Sequence, residues 1–170
     1  MTKEFWLNLP VKDLKKSKEF FTTLGFSFHP RHHNSDDAAG LLIGNSNVIV
    51  MLFPESSFKN FTRNDIADTK LGTEVLLSFD AESKEEVDEM LEKAVNAGGT
   101  IYSEPHDQGW MYGAGFTDLD GHRWNVLYMD MSKMPKEYSL NCFIYNRGTV
   151  RKMRIYNDKE IPILKSPTSP

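Results

Sequence analysis

A chain of 170 residues with 39% hydrophobic and 26% charged side chains has the composition of an ordinary globular protein, which excludes wholesale disorder. Its net charge of −4 is unevenly spread: residues 1–135 carry 13 Lys and Arg against 21 Asp and Glu, whereas residues 136–170 carry 7 against 3. An acidic body lacks the clustered basic surface that general nucleic-acid binding uses, the single Cys142 closes no intramolecular disulfide, and no apolar run approaches the roughly 20 residues of a bilayer span. A cytoplasmic protein with neither nucleic acid nor membrane as partner is therefore expected.

In chain order, "EFWLNLPV" alternates and predicts a strand, followed by a helix through "KDLKKSKEFFTTLG", where Leu14, Phe20, Phe21 and Leu24 fall at helical spacing and Gly25 supplies a C-cap. "FSFHPR", "AAGLLIG" and "NVIVMLF" predict three short strands separated by polar turns, which completes a βαβββ order. "PESSFKNFTRNDIADTKLG" reads as a connector with one helical turn from Ser56 to Phe61. The order then repeats. "TEVLLSFD" predicts a strand; "SKEEVDEMLEKAVNAGG" predicts a helix with Ser83 and Glu86 at capping-box spacing and an apolar stripe of Val87, Met90, Leu91, Ala94 and Val95. "TIYSEP", "YGAGFTD" and "RWNVLYMD" follow as strands. Two such modules, about 4–54 and 73–131, would make an α+β protein whose mixed sheet curls into a cup with the helices outside. Superposing Val11 on Phe79 sets Trp6 opposite Glu74 and Asn8 opposite Leu76. Residues 136–170 form a C-terminal extension outside this scheme, with "ND" at the turn of a possible hairpin.

The pairing of "LPVKDLKKSKEFFTTLGF" with "FTDLDGHRWNVLYMD" around a βαβββ repeat resembles the vicinal oxygen chelate superfamily of glyoxalase I, bleomycin-resistance proteins and extradiol dioxygenases, and most of all its small bacterial glyoxalase-like members. The resemblance covers about residues 4–135, within a domain of residues 1–135. It implies a cupped sheet, a homodimer, and in the metalloenzymes four ligands from the first and last strands of each module. The positions it marks here are Trp6, Met51, Glu74 and Asn125. Trp has no lone pair to give, Met is a soft thioether and Asn a weak neutral donor, so no metal and no other cofactor is expected.

The expected site is therefore a metal-free pocket for a small molecule, lined by Trp6, Asn8, Met51, Glu74, Trp110, Tyr112, Asn125 and Leu127. Sequestration of an aromatic or cationic compound is the leading reading. The alternative is a glyoxalase-like lyase or isomerase, or a dioxygenase-type enzyme, either metal-free with Glu74 as base or with a divergent metal site. Glu74 buried beside Trp6 and Asn125 would have a raised pKa and could move a proton. His106 would border the cleft in a solvated loop, and His122 would face water. His29, His32 and His33 suit a metal poorly, since adjacent residues cannot present both rings to one strand face. No nucleophile elbow and no phosphate-cradling glycine loop is present.

Overall fold

The computed structural model describes residues 5–32, 35–44 and 48–135. The expected extension and its hairpin lie outside these residues, as does His33. The elements are β1 (Trp6–Val11), α1 (Leu14–Thr23), β2 (Ser27–Phe28), β3 (Ala39–Ile43), β4 (Val48–Pro54), α2 (Glu55–Thr62), β5 (Leu76–Asp80), α3 (Lys84–Asn96), β6 (Thr100–Asp107), β7 (Met111–Thr117) and β8 (Arg123–Met129). They form two four-stranded sheets, ordered β1-β4-β3-β2 and β5-β8-β7-β6. In each the first strand runs parallel to the last and the other pairs are antiparallel. This is the α+β arrangement of two βαβββ modules. The connector holds more helix than one turn, because α2 runs for 8 residues before Arg63 turns left-handed at φ 52° and ends it.

The helix ends show how closely the modules repeat. Asp13 accepts from the Lys16 amide and Ser83 from the Glu86 amide, so each helix begins on a side-chain cap. Each ends in the same way, on a glycine with positive φ, 95° at Gly25 and 99° at Gly98, where the C-terminal amides turn back onto carbonyls of the last turn.

Strand alternation then divides the residues into two faces. Leu9, Val11, Val50 and Leu52 of the first sheet, with Ala114, Phe116, Trp124 and Val126 of the second, are buried on the helix side. There the modules share one core. Phe21 packs edge-on against Trp124 with ring centroids 5.2 Å apart, and Phe26 meets Phe79 at 5.2 Å, so rings from module one are set into module two. The predicted stripe of the second helix is one residue too wide: Val87, Leu91 and Ala94 are buried, while Val95 is 46% exposed.

Candidate functional site

The side chains of the opposite sheet faces come from the alternate positions. In module one Asn8 lies beside Met51 and Trp6 beside Ile49; in module two Ser78 lies beside Asn125 and Asp80 beside Leu127. These ladders correct the expected superposition. Val11 corresponds to Ala81 rather than Phe79, since the capping residues Asp13 and Ser83 stand at equivalent places and the parallel pairs start together. Trp6 therefore matches Leu76 and Asn8 matches Ser78. Glu74 lies two residues before β5, exposed, and not buried between Trp6 and Asn125.

Module two carries a polar arrangement that sequence reasoning missed. The Tyr102 hydroxyl donates to Asn125 Oδ1, and the Arg123 guanidinium lies over the Tyr102 ring, 4.5 Å from its centroid. Partial burial pushes the Tyr102 pKa up, against a smaller opposing pull from Arg123. Gly115 makes room for this, because a Cβ there would come within 2.4 Å of the Tyr102 ring. The alternation of β8 could have revealed Arg123 as a neighbour of Asn125 on the same face; nothing in the sequence placed Tyr102 over Gly115.

Three other expected pocket residues lie apart from one another. Tyr112 is on the helix side, its hydroxyl donating to Asp88 of α3 at 2.8 Å and its ring 5.4 Å from the Lys84 ammonium. Asp88 pushes the Tyr112 pKa up by accepting that hydrogen bond. Trp110 sits half-buried in the β6–β7 turn, where its carbonyl accepts from the Asp130 amide. Leu127 sits against Gly113, where a Cβ would fall 2.5 Å from the leucine methyl. His106, on β6, is exposed.

Where the modules meet, a cleft of about 520 Å³ opens. β1 supplies Leu7 to Pro10, α2 and the connector supply Phe58, Asp65, Thr73 and Glu74, and the far wall is Gly121, His122 and Arg123. Of the residues expected from sequence, it brings together Asn8 and Glu74. Asp65 is held by Lys59 at 2.8 Å, which lowers the Asp65 pKa, whereas Glu74 has no hydrogen-bond or ion-pair partner among the described residues.

His122 departs most from expectation. It is 7% exposed, and its Nδ1 lies 3.0 Å from Asp118 Oδ2. Asp118, itself buried, also accepts from the Trp124 indole at 3.1 Å and from the backbone amides of His122 and Asp120, both at 3.0 Å. The turn "DLDGH" folds around its own carboxylate. It also grips the other module and the connector: the Lys12 amide donates to Asp120 Oδ1 at 3.0 Å, and the Thr69 hydroxyl of the connector donates to the Asp120 carbonyl at 2.9 Å.

The residues present do not fit the metal that the superfamily uses. At equivalent places on the two sheet faces stand Asn8 with Met51 and Ser78 with Asn125, all neutral and none an imidazole or carboxylate. No three His, Cys, Asp or Glu side chains come together to hold a metal ion among the described residues. No helix among them is long and apolar enough to cross a membrane.

With this geometry in place, the comparisons with known proteins agree. Residues 5–126 match the model of the glyoxalase/bleomycin resistance protein/dioxygenase superfamily, and the chain belongs to that superfamily. It is similar to the hypothetical protein SA1046 from S. aureus, with 35% identity and a TM-score of 0.67 over 75% of this chain and 95% of that one. A glyoxalase/bleomycin resistance protein/dioxygenase family enzyme from Burkholderia phytofirmans PsJN is 19% identical, with a TM-score of 0.61 over 73% of this chain and 96% of that one. The fosfomycin resistance protein FosX from Listeria monocytogenes is 19% identical, with a TM-score of 0.54 over 78% and 97%. At that identity the last two show the shared fold alone. No curated protein matches the sequence significantly.

Proposed function

We propose that this chain binds a small organic molecule in the cleft between its modules, without the superfamily's metal, as a sequestering protein. The observation that carries the reading is the cleft itself. Its 520 Å³ falls in the range of small-molecule sites, and Leu7, Leu9, Phe58 and Val75 give it apolar surface beside polar and charged side chains. Glu74 is an acceptor with no partner of its own among the described residues, which suits a ligand bearing a cationic group. Arg123 on the facing wall suits an anionic or aromatic part of the same molecule. On the same fold, the Listeria neighbour is named a fosfomycin resistance protein.

Two measurements test this. Elemental mass spectrometry of protein purified without chelator is expected to find no stoichiometric divalent metal, and added divalent ions are expected to leave the melting temperature unchanged. A fragment screen by amide NMR is expected to move the resonances of Asn8, Glu74 and Arg123 together, with cationic aromatic hits weakened about tenfold by Glu74→Gln, the cost of one exposed charge-assisted contact. A bound stoichiometric metal, or hits that map elsewhere, would sink the reading.

The reading includes a homodimer. Trp6 and Leu76, at matching places on the sheet faces away from the helices, are 51% and 52% exposed, and Met129 is 39% exposed. A second copy would cover these side chains in both modules at once.

A further inference from the structure

The structure assigns to His122 a role that the chain's metal-free cleft leaves open: we propose that it presents Nε2 to the ligand as a hydrogen-bond acceptor, with Asp118 fixing Nδ1 as the nitrogen that carries the proton. The proposal rests on the cleft being the binding site, and it names the class of ligand, a molecule that offers an O–H or N–H donor.

Asp118 receives three N–H donors besides the His122 ring: the Trp124 indole and the amides of Asp120 and His122. Such a set satisfies a carboxylate and would be wasted on a carboxylic acid, so the proton between Asp118 and His122 sits on Nδ1. A neutral imidazole with its proton on Nδ1 carries a lone pair on Nε2. The fate of that lone pair follows from burial. His122 is 93% buried by its 7% exposure, yet no fully buried side-chain nitrogen or oxygen lacks a partner among the described residues. His122 has no hydrogen bond beyond those to Asp118 and the turn. Nε2, with no hydrogen-bond partner among the described residues, is therefore not fully buried. His122 lines the cleft and also borders a neighbouring cavity of about 340 Å³.

Asp118 engages Nδ1, so Nε2 is the ring nitrogen left for a ligand in the cleft that His122 lines. Orientation of an imidazole by a buried carboxylate is the general means of fixing which nitrogen acts.

The tautomer can be read on the unmodified protein. Long-range ¹⁵N–¹H correlation near neutral pH is expected to show His122 with Nδ1 protonated and Nε2 bare, and diethylpyrocarbonate, which attacks an accessible unprotonated imidazole, is expected to add mass to the His122 peptide of the folded protein. Protonation at Nε2, or a His122 that reacts only after unfolding, would overturn the assignment. His122→Asn keeps a side-chain N–H where Nδ1 stood and deletes Nε2. For the ligand class, phenol is expected to shift the His122 Nε2 resonance where anisole, the same ring without the O–H, does not, and the difference between the two is expected to vanish from the neighbouring Arg123 amide in His122→Asn. Equal effects of both compounds, or no effect of either, would overturn the ligand class. Because tautomer and reactivity are read without any ligand, hits that map away from the cleft would remove the binding reading and leave the assignment of a bare Nε2 standing.

Discussion

Trp124 shows how one side chain can serve both the core and the turn. Its ring is 1% exposed, packed among Phe21 and Phe79, and its indole N–H reaches Asp118. Trp124→Phe keeps an aromatic ring in the core but takes one donor from a buried carboxylate. The expected cost is about 1–3 kcal/mol, the penalty for leaving a buried polar atom short of a partner plus a small cavity. Urea denaturation would measure it; a change within error would mean that Asp118 draws its stability from the backbone amides alone. The sequence made Trp124 visible as the inward residue of an alternating strand. It did not show that the neighbouring Asp118 and His122 fold back onto it, since residues four and six apart in a turn have no fixed distance until the turn type is known.

Among the elements, the turn between β7 and β8 is the piece that joins the modules outside the aromatic core. Asp120 receives the Lys12 amide between β1 and α1, and the Ser17 hydroxyl lies 3.5 Å from its other oxygen. Burial raises the pKa of Asp120, more than its hydrogen bond from Lys12 lowers it. A carboxyl group whose pKa is higher folded than unfolded binds its proton more tightly in the fold, so its contribution to stability is greatest at acid pH and declines as pH rises through the ordinary carboxylate range. Asp120→Asn retains an oxygen for the Lys12 amide and removes the titrating charge. Melting curves across that range are expected to show a flatter acid-side pH dependence for the variant, with its largest relative gain near neutral pH; parallel curves would show that the desolvation of Asp120 is offset elsewhere. Asp130 has the opposite sign. Lys133 and Ser132 hold its pKa down to about 2, so its contribution is present above the usual carboxylate range and is lost as pH falls toward that value.

For the whole molecule, the exposed apolar side chains of the sheet faces set the expectation for assembly. Light scattering coupled to gel filtration is expected to give twice the mass of one chain, and Trp6→Ser combined with Leu76→Ser is expected to shift the species toward one chain at micromolar concentration. A wild-type monomer at high concentration would remove the dimer from the proposal and leave the cleft as the whole of it.

The sequence by itself determined the order of elements and the caps at Gly25 and Ser83, because hydrophobic period and cap chemistry are local. The resemblance marked Trp6, Met51, Glu74 and Asn125 as the superfamily's ligand positions, and the strand register puts Leu76, not Glu74, at the place that matches Trp6. The superposition of the modules was off by two residues in β5, and a slip of two keeps every side chain on its own face while moving it along the strand. That is why Glu74 was expected inside a cup and is found exposed beside a cleft. Only the tertiary structure decided which residues meet across the modules. Asn8 faces Arg123 and His122 over the cleft, Tyr112 turns to α3, and Asp118 closes on His122, because these contacts depend on how two sheets pack and how one turn folds, and no period in the sequence encodes either.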